Sequence, residues 1–290
     1  MADTNKLIDV WKDTVDVVRK GHYKAENGQT VNFTDEDKMV AESVFYTKKC
    51  QCDAVEIDDY ADTEVSVVNN DCLKVAEELV KGGYTTCVLN MASFIRPGGG
   101  VTKGSRAQEE DIFRRTNIFK SLFRYSDDFA DYYGLEPSDQ QYPLERTYGA
   151  VYTPYVTVFK GTSSEDYKLL EEPFKVNVVS VAAVKRPQIT SDGDINDWVK
   201  ETLKRKVCQM LDIAMCHGNN ALVLGAFGCG AYGTPPMPVA KIFKSILGSE
   251  RFKRAFEKVV FAIIDDANAY KEHNPNGNYK PFKNILENHV

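Results

Sequence analysis

The residues best suited to chemistry stand together in one stretch, RPGGGVTKGSRAQEE, from Arg96 to Glu110. Its two adjacent carboxylates, Glu109 and Glu110, follow Gln108 at the start of a segment in which Ile112, Phe119, Leu122 and Phe123 fit one helical face, so the spacing predicts a helix over 107–123. A carboxylate at a helix N-terminus sits at the positive end of the helix dipole, which favours its ionised form. Successive helical residues point roughly 100° apart, so the two groups cannot address one atom in the same way and are expected to divide the labour. Ahead of them, Gly98, Gly99 and Gly100 remove every Cβ from a strand exit. Backbone there can approach a ligand closely, adopt positive φ and turn its N–H groups toward an anion or a sugar hydroxyl. Three glycines alone would also suit an ordinary flexible turn, and the paired carboxylates are what tip the reading toward a ligand.

A second glycine-rich stretch, VLGAFGCGAYGTPP, runs from Val223 to Pro236, with Gly225, Gly228, Gly230 and Gly233 spaced to let backbone wrap a diphosphate. It lacks the Lys-Ser/Thr ending of a nucleoside-triphosphate loop, which argues against a kinase or ATPase, and no ribose-binding acid follows at the distance of a dinucleotide fingerprint. Phe227 and Tyr232 fit either the core or an apolar wall against a sugar ring.

These loops need a scaffold that brings them to one edge. Leu7, Trp11, Val15 and Val18 recur at helical spacing and predict an amphipathic helix laid on the body of the protein. Residues 48–64 are polar and acidic and are expected to run along the surface. From Val65 the pattern becomes regular: VSVVNND reads as a strand, LKVAEELVKGG as a helix ended by Gly82 and Gly83, and TTCVLNMAS as a strand. Residues 126–150 read as a long connection. TYGAVYTPYVTVFKG reads as one or two strands, FKVNVVSVAAV as another, and residues 195–217 as a long helix. ALVL is a strand entering the second glycine loop, Pro235 and Pro236 introduce a helix, and KVVFAIID is the last strand. Such alternation implies a three-layer α/β/α fold with a largely parallel sheet, whose ligands bind at the carboxyl ends of the strands. Both glycine loops lie there.

A net charge of −6 gives no broad basic field for a nucleic-acid backbone, so no direct nucleic-acid partner is expected and a polyanionic ligand would need a local site. The cysteines Cys50, Cys52, Cys72, Cys87, Cys208, Cys216 and Cys229 have no paired metal-ligand spacing and read as scattered reduced thiols of a cytoplasmic or nuclear protein. The start, MADTNKLIDVWKDT, has no apolar secretory core, no run of apolar residues is long enough to span a membrane, and no membrane partner is expected.

The string Gly98-Gly99-Gly100, seven residues, then Gln108-Glu109-Glu110 resembles the signature of poly(ADP-ribose) glycohydrolases. VVNND before a helix is similar to the adenine-binding strand exit of a macrodomain, and GAFGCGAYGTPP to the diphosphate loop of the bacterial-type branch; the resemblance runs from about Val65 to Asp265. It implies a macrodomain over 65–290 with a mixed, largely parallel sheet, preceded by an N-terminal helical extension over 1–64, in one structural unit. It implies a monomeric hydrolase that needs no metal and no cofactor, cuts the ribose–ribose O-glycosidic bond of poly(ADP-ribose), with preference for chain ends, and releases ADP-ribose. A hydrolase of mono-ADP-ribosylated protein and a non-catalytic ADP-ribose reader are the alternatives. By position, Glu110 resembles the catalytic acid and Glu109 the group that holds a hydroxyl of the ribose being cut. Gln108 would order the loop, Asp71 would accept the adenine amino group, and Asn90 with Gly98, Gly99 and Gly100 would line the distal ribose pocket. Backbone N–H groups of Gly228, Cys229, Gly230 and Ala231 would cradle the diphosphate, and Tyr232, with Phe227, would pack on the distal ribose. In this scheme the Glu110 carboxyl is raised by burial and by the charge of Glu109, protonates the leaving oxygen and then activates water. Arg96 either touches substrate or is solvated, and Tyr132, Tyr133 and Tyr148 are available for a lid.

Overall fold

The computed structural model describes residues 2–52, 61–191 and 193–287. Residues 53–60 of the acidic stretch expected at the surface therefore lie outside the described residues. Helix α1 (Ala2–Lys20) buries Leu7, Trp11, Val15 and Val18, the stripe its periodicity predicts. Strands β1 (His22–Lys24) and β2 (Thr30–Asn32) then form an antiparallel pair, and helix α2 (Glu36–Ala41) leads to strand β3 (Val44–Tyr46). Within 1–64 the chain thus holds strands as well as helix; at three residues each they are too short to show an alternating pattern. Next come β4 (Glu64–Val68), α3 (Cys72–Lys81), β5 (Thr86–Met91), α4 (Gln108–Arg115), α5 (Phe119–Leu122), α6 (Asp127–Tyr133), β6 (Ala150–Lys160) and β7 (Leu169–Val181). The chain finishes with α7 (Asp197–Cys216), β8 (Ala221–Leu224), α8 (Pro236–Leu247), β9 (Lys258–Ala262) and α9 (Tyr279–Leu286).

Seven strands form one sheet in the order β3-β6-β7-β5-β8-β9-β4. Pairings among β7, β5, β8, β9 and β4 are parallel, while β6 runs antiparallel to both β7 and β3. Alternation along the strands sends side chains to opposite faces. Leu89, Val179, Val181, Leu222, Leu224 and Phe261 pack with α7, α8 and α9, whereas Val88, Val178, Val223 and Val260 pack with α1, α3 and α4. Two apolar cores on two faces of one sheet make the expected three-layer α/β/α arrangement.

Three expectations need correction. The helix predicted over 107–123 breaks after Arg115: Thr116 turns extended, with φ −137° and ψ 168°, and bridges to Val158 on β6. Its hydroxyl donates to the Ile112 carbonyl at 2.8 Å, and the Thr157 N–H donates to the Asn117 side chain at 2.9 Å. Thr and Asn give up helical geometry readily because their side chains compete for backbone hydrogen bonds. The connection over 126–150 contains α6, closed by Gly134 at φ 66°. The cysteines are not all scattered: Cys52 and Cys216 join as a disulfide pair with Cα atoms 5.6 Å apart, and Cys50 Sγ lies 3.5 Å from Cys216 Sγ. Their separation of 164 residues hid this in the sequence. Among the described residues, no helix is long and apolar enough to cross a membrane.

Candidate active site

A cleft of about 1610 Å³ runs along the carboxyl ends of β4, β9, β8, β5 and β7. The loop from β5 into α4 forms its middle. Gln108 fastens this junction by closing the open end of β5: its Oε1 accepts the Met91 N–H at 2.8 Å and its Nε2 donates to the Leu89 carbonyl at 2.6 Å. The first turn of α4 is thereby fixed against the strand, and the two glutamates follow it into the cleft.

Both carboxylates are buried and divide as adjacent helical positions must. Glu109 turns to the strand exit, where its Oε2 accepts the Ser93 N–H at 2.7 Å and its Oε1 the Gly98 N–H at 3.0 Å. Glu110 Oε1 accepts the Gly100 N–H at 2.8 Å, while its Oε2 is buried without a partner among the described residues. The glycines are required here. Gly99 has φ +53°, and a Cβ on it would lie 2.5 Å from Glu110 Oε1 and 2.9 Å from Glu109 Oε2. A Cβ on Gly98, at φ +72°, would strike the Phe113 ring at 2.8 Å. Burial pushes the Glu109 carboxyl up to about 8, opposed by the Ser93 and Gly98 N–H groups and reinforced by the charge of Glu110.

At the β4 end, Asp71 caps α3 by accepting the N–H groups of Leu73 and Lys74, each at 3.0 Å. The same carboxylate faces the cleft and takes Arg115 Nη1 at 2.9 Å on both oxygens. Arg115 also reaches Asp111 at 2.8 Å and is nearly fully buried. Neither Arg115 nor its neighbour Arg114 drew attention in the sequence, where a charge on a helix reads as solvated; the only available sign was two consecutive arginines on a short amphipathic turn.

The second glycine loop borders the cleft at the end of β8. Gly228 has φ +81° and approaches the segment that follows β7 so closely that a Cβ would lie 2.9 Å from Ala183 Cβ. The N–H groups of Phe227 and Cys229 are tied to the Gly225 and Ala226 carbonyls. Those of Gly228, Gly230, Ala231 and Tyr232 have no partner among the described residues and are free to face an anion. Tyr232 borders the cleft, and its hydroxyl accepts the Phe94 N–H at 3.0 Å, tying the second loop to the first.

Four expected residues stay out of the cleft lining. Phe227 and Cys229 are buried in the core beside α7 and α8, because the strained turn at Gly228 folds its flanking side chains inward. Asn90 lies beneath Glu109, fully buried, its Nδ2 donating to Ser180 Oγ at 3.0 Å. Gly98 sits under the Phe113 ring. Arg96 is exposed at the rim. Of the three tyrosines considered for a lid, none lines the cleft: Tyr133 is locked in the core by a 3.0 Å hydrogen bond from Trp11, and Tyr132 lies on the surface.

Residues 12–161, just over half of the chain, match the family model of the microbial-type PARG catalytic domain. The chain belongs to the microbial-type PARG family. The matched span takes in Asp71, the three glycines and both glutamates, and ends before the second glycine loop. Among solved structures, the chain is similar to the poly(ADP-ribose) glycohydrolase of Thermomonospora curvata bound to the inhibitor ADP-HPD. That likeness has 28% identity, covers 96% of this chain and 98% of the other, and has a TM-score of 0.76. A second structure of the Thermomonospora curvata PARG gives 27% identity, 97% and 99% coverage and a TM-score of 0.77. The PARG of Deinococcus radiodurans in complex with ADP-ribose shares the fold at 24% identity, with 89% and 98% coverage and a TM-score of 0.67. No curated protein matches the sequence.

Proposed function

We propose that this protein is a poly(ADP-ribose) glycohydrolase that releases ADP-ribose from chain ends by cutting the ribose–ribose O-glycosidic bond, with Glu110 as its acid. One observation carries the reading: of the two buried carboxylates, Glu109 has both oxygens engaged by backbone N–H groups, whereas Glu110 keeps Oε2 unpartnered in a cleft-lining residue. The GGG and QEE strings, seven residues apart, place that oxygen beside a strand exit stripped of side chains.

In the order of the sheet, adenine lies at the β4 and β9 end near Asp71, the diphosphate on the free N–H groups of Gly228, Gly230, Ala231 and Tyr232, and the distal ribose at the β5 exit. Cleavage passes through an oxocarbenium-like state at the anomeric carbon. Glu110 gives its proton to the departing ribose oxygen as the bond to the anomeric carbon breaks. Water then attacks that carbon, and the Glu110 carboxylate takes the water's proton, which restores the acid. Glu109 accepts a ribose hydroxyl with its remaining lone pairs while its two backbone hydrogen bonds hold the strand exit. Burial raises the Glu109 carboxyl, and the charge of Glu110 adds to it. The test is release of free ADP-ribose by the purified protein from poly(ADP-ribose) and from a mono-ADP-ribosylated protein. Release from the polymer is expected. Release from the mono-modified protein alone would move the substrate to the single protein-linked unit, and binding of ADP-ribose without release from either would make the protein a reader.

A further inference from the structure

The β7 end of the cleft lies beyond everything the proposed reaction uses. There α7 presents Trp198, Thr202 and Arg205, at i, i+4 and i+7 on one helical face, followed by Lys206, all lining the cleft. Arg146 arrives just before β6 and Lys185 just after β7, and the pairing of Ala150 with Val181 holds these two segments at the same end of the sheet.

Arg146, Lys185, Arg205 and Lys206 have no ion pair or hydrogen bond from their side chains among the described residues, although the protein carries a net charge of −6. On the same helix Lys200 and Lys204 are paired, with Asp194 and Glu201. Lys206 is the informative member: the residue is only 3% exposed, it lines the cleft, and its ammonium makes no hydrogen bond or ion pair among the described residues. A largely buried lysine with no ion pair gains when an anion joins its ammonium at the cleft. Burial lowers its pKa to about 8, with Glu145 acting the other way. Glu145 itself is turned to its own turn, accepting the N–H of Thr147 at 2.9 Å and that of Tyr148. Trp198, in contrast, is 67% exposed, an indole face open at the cleft edge.

We infer that this end of the cleft is the subsite for the departing part of the chain, with the diphosphate of the penultimate ADP-ribose unit on Arg146, Lys185, Arg205 and Lys206 and its adenine on Trp198. The inference rests on the glycohydrolase reading above. The sheet order supplies the direction: with the terminal unit spread from β4 to β5, the β7 end is the next stretch of the same cleft along the sheet beyond Glu110. A diphosphate is a doubly charged anion suited to clustered cations, and base–aromatic stacking is tolerant of geometry.

The test compares two substrates across exposed positions that leave the fold intact: poly(ADP-ribose), and an ADP-ribose O-glycoside of a small uncharged alcohol. Trp198→Ala and the double variant Arg146→Ala with Arg205→Ala are each expected to raise KM for poly(ADP-ribose) about tenfold, the change corresponding to 1.4 kcal/mol. The double variant should also flatten the salt dependence of that KM. Hydrolysis of the small glycoside and calorimetric affinity for ADP-ribose should stay at wild-type values. An unchanged KM for the polymer, or an equal loss on the small glycoside, overturns the subsite. A wild type that releases ADP-ribose from neither substrate instead removes the glycohydrolase reading, and the subsite with it.

Discussion

Replacing Gly99 with alanine tests the geometry of the carboxylate pair through a residue that has no chemistry of its own. Gly99 sits at φ +53°, and the new Cβ would come within 2.5 Å of Glu110 Oε1 and 2.9 Å of Glu109 Oε2. Ordinary van der Waals contact begins at 3.4 Å, so the Glu110 carboxylate must retreat by about 1 Å, which puts its 2.8 Å bond to the Gly100 N–H at risk. A misplacement of about 1 Å in a catalytic group can cost on the order of 100-fold in rate. The left-handed backbone costs an alanine roughly 1–2 kcal/mol of stability. Gly83→Ala is the matched control, because Gly83 is also left-handed, at φ +87°, but a Cβ there meets nothing within 4 Å. The assay is kcat for ADP-ribose release alongside urea unfolding of both variants. Comparable destabilisation of the two, with an approximately 100-fold loss of kcat only in Gly99→Ala, is expected. Wild-type turnover in Gly99→Ala, or equal loss in Gly83→Ala, would refute the idea that the bare backbone at Gly99 sets the position of the acid.

Two further outcomes follow from the same network. Because burial raises the Glu109 carboxyl from 4.5 to about 8, the folded state binds more protons than the unfolded chain between those values. Its contribution to stability is therefore fully present below about pH 4.5 and lost as pH rises through about 8. Melting temperatures of the wild type should fall from pH 6 to pH 8 more steeply than those of Glu109→Gln, and parallel slopes would contradict the assignment. Arg115→Met should cost about 3–5 kcal/mol in urea unfolding, since it strands the carboxylates of Asp71 and Asp111 with their buried partner gone. A neutral result would mean that the ion pairs contribute nothing to holding α4 against α3.

Much of this molecule was legible because its signals are local. Asp71 ahead of LKVAEELV, with Gly82 and Gly83 behind, carries the cap and the stop of α3 within a dozen residues, and the apolar runs of β5, β7, β8 and β9 mark strands covered on both faces. The GGG and QEE strings likewise lie in one loop-to-helix junction, so the meeting of Glu109 and Glu110 with Gly99 followed from short range. What escaped depends on partners far along the chain. Thr116 leaves the helix because β6 offers it a bridge at Val158, and Cys52 meets Cys216 only once α7 has docked. Arg114 and Arg115 look like solvated helix charges until α1 and Asp71 close over them. Phe227 and Cys229 share a loop with the free N–H groups but point inward, because the handedness at Gly228 decides which side each residue faces.

The most direct test of the central claim is turnover of poly(ADP-ribose) by Glu110→Gln, with ADP-ribose affinity measured on the same preparation by calorimetry. The amide keeps the shape of the side chain and can still accept the Gly100 N–H through Oε1, but it has no proton to give the leaving oxygen. A loss of roughly 10²- to 10⁴-fold in kcat with unchanged ADP-ribose affinity is the predicted result. Turnover close to the wild type with binding intact would show that Glu110 is not the acid.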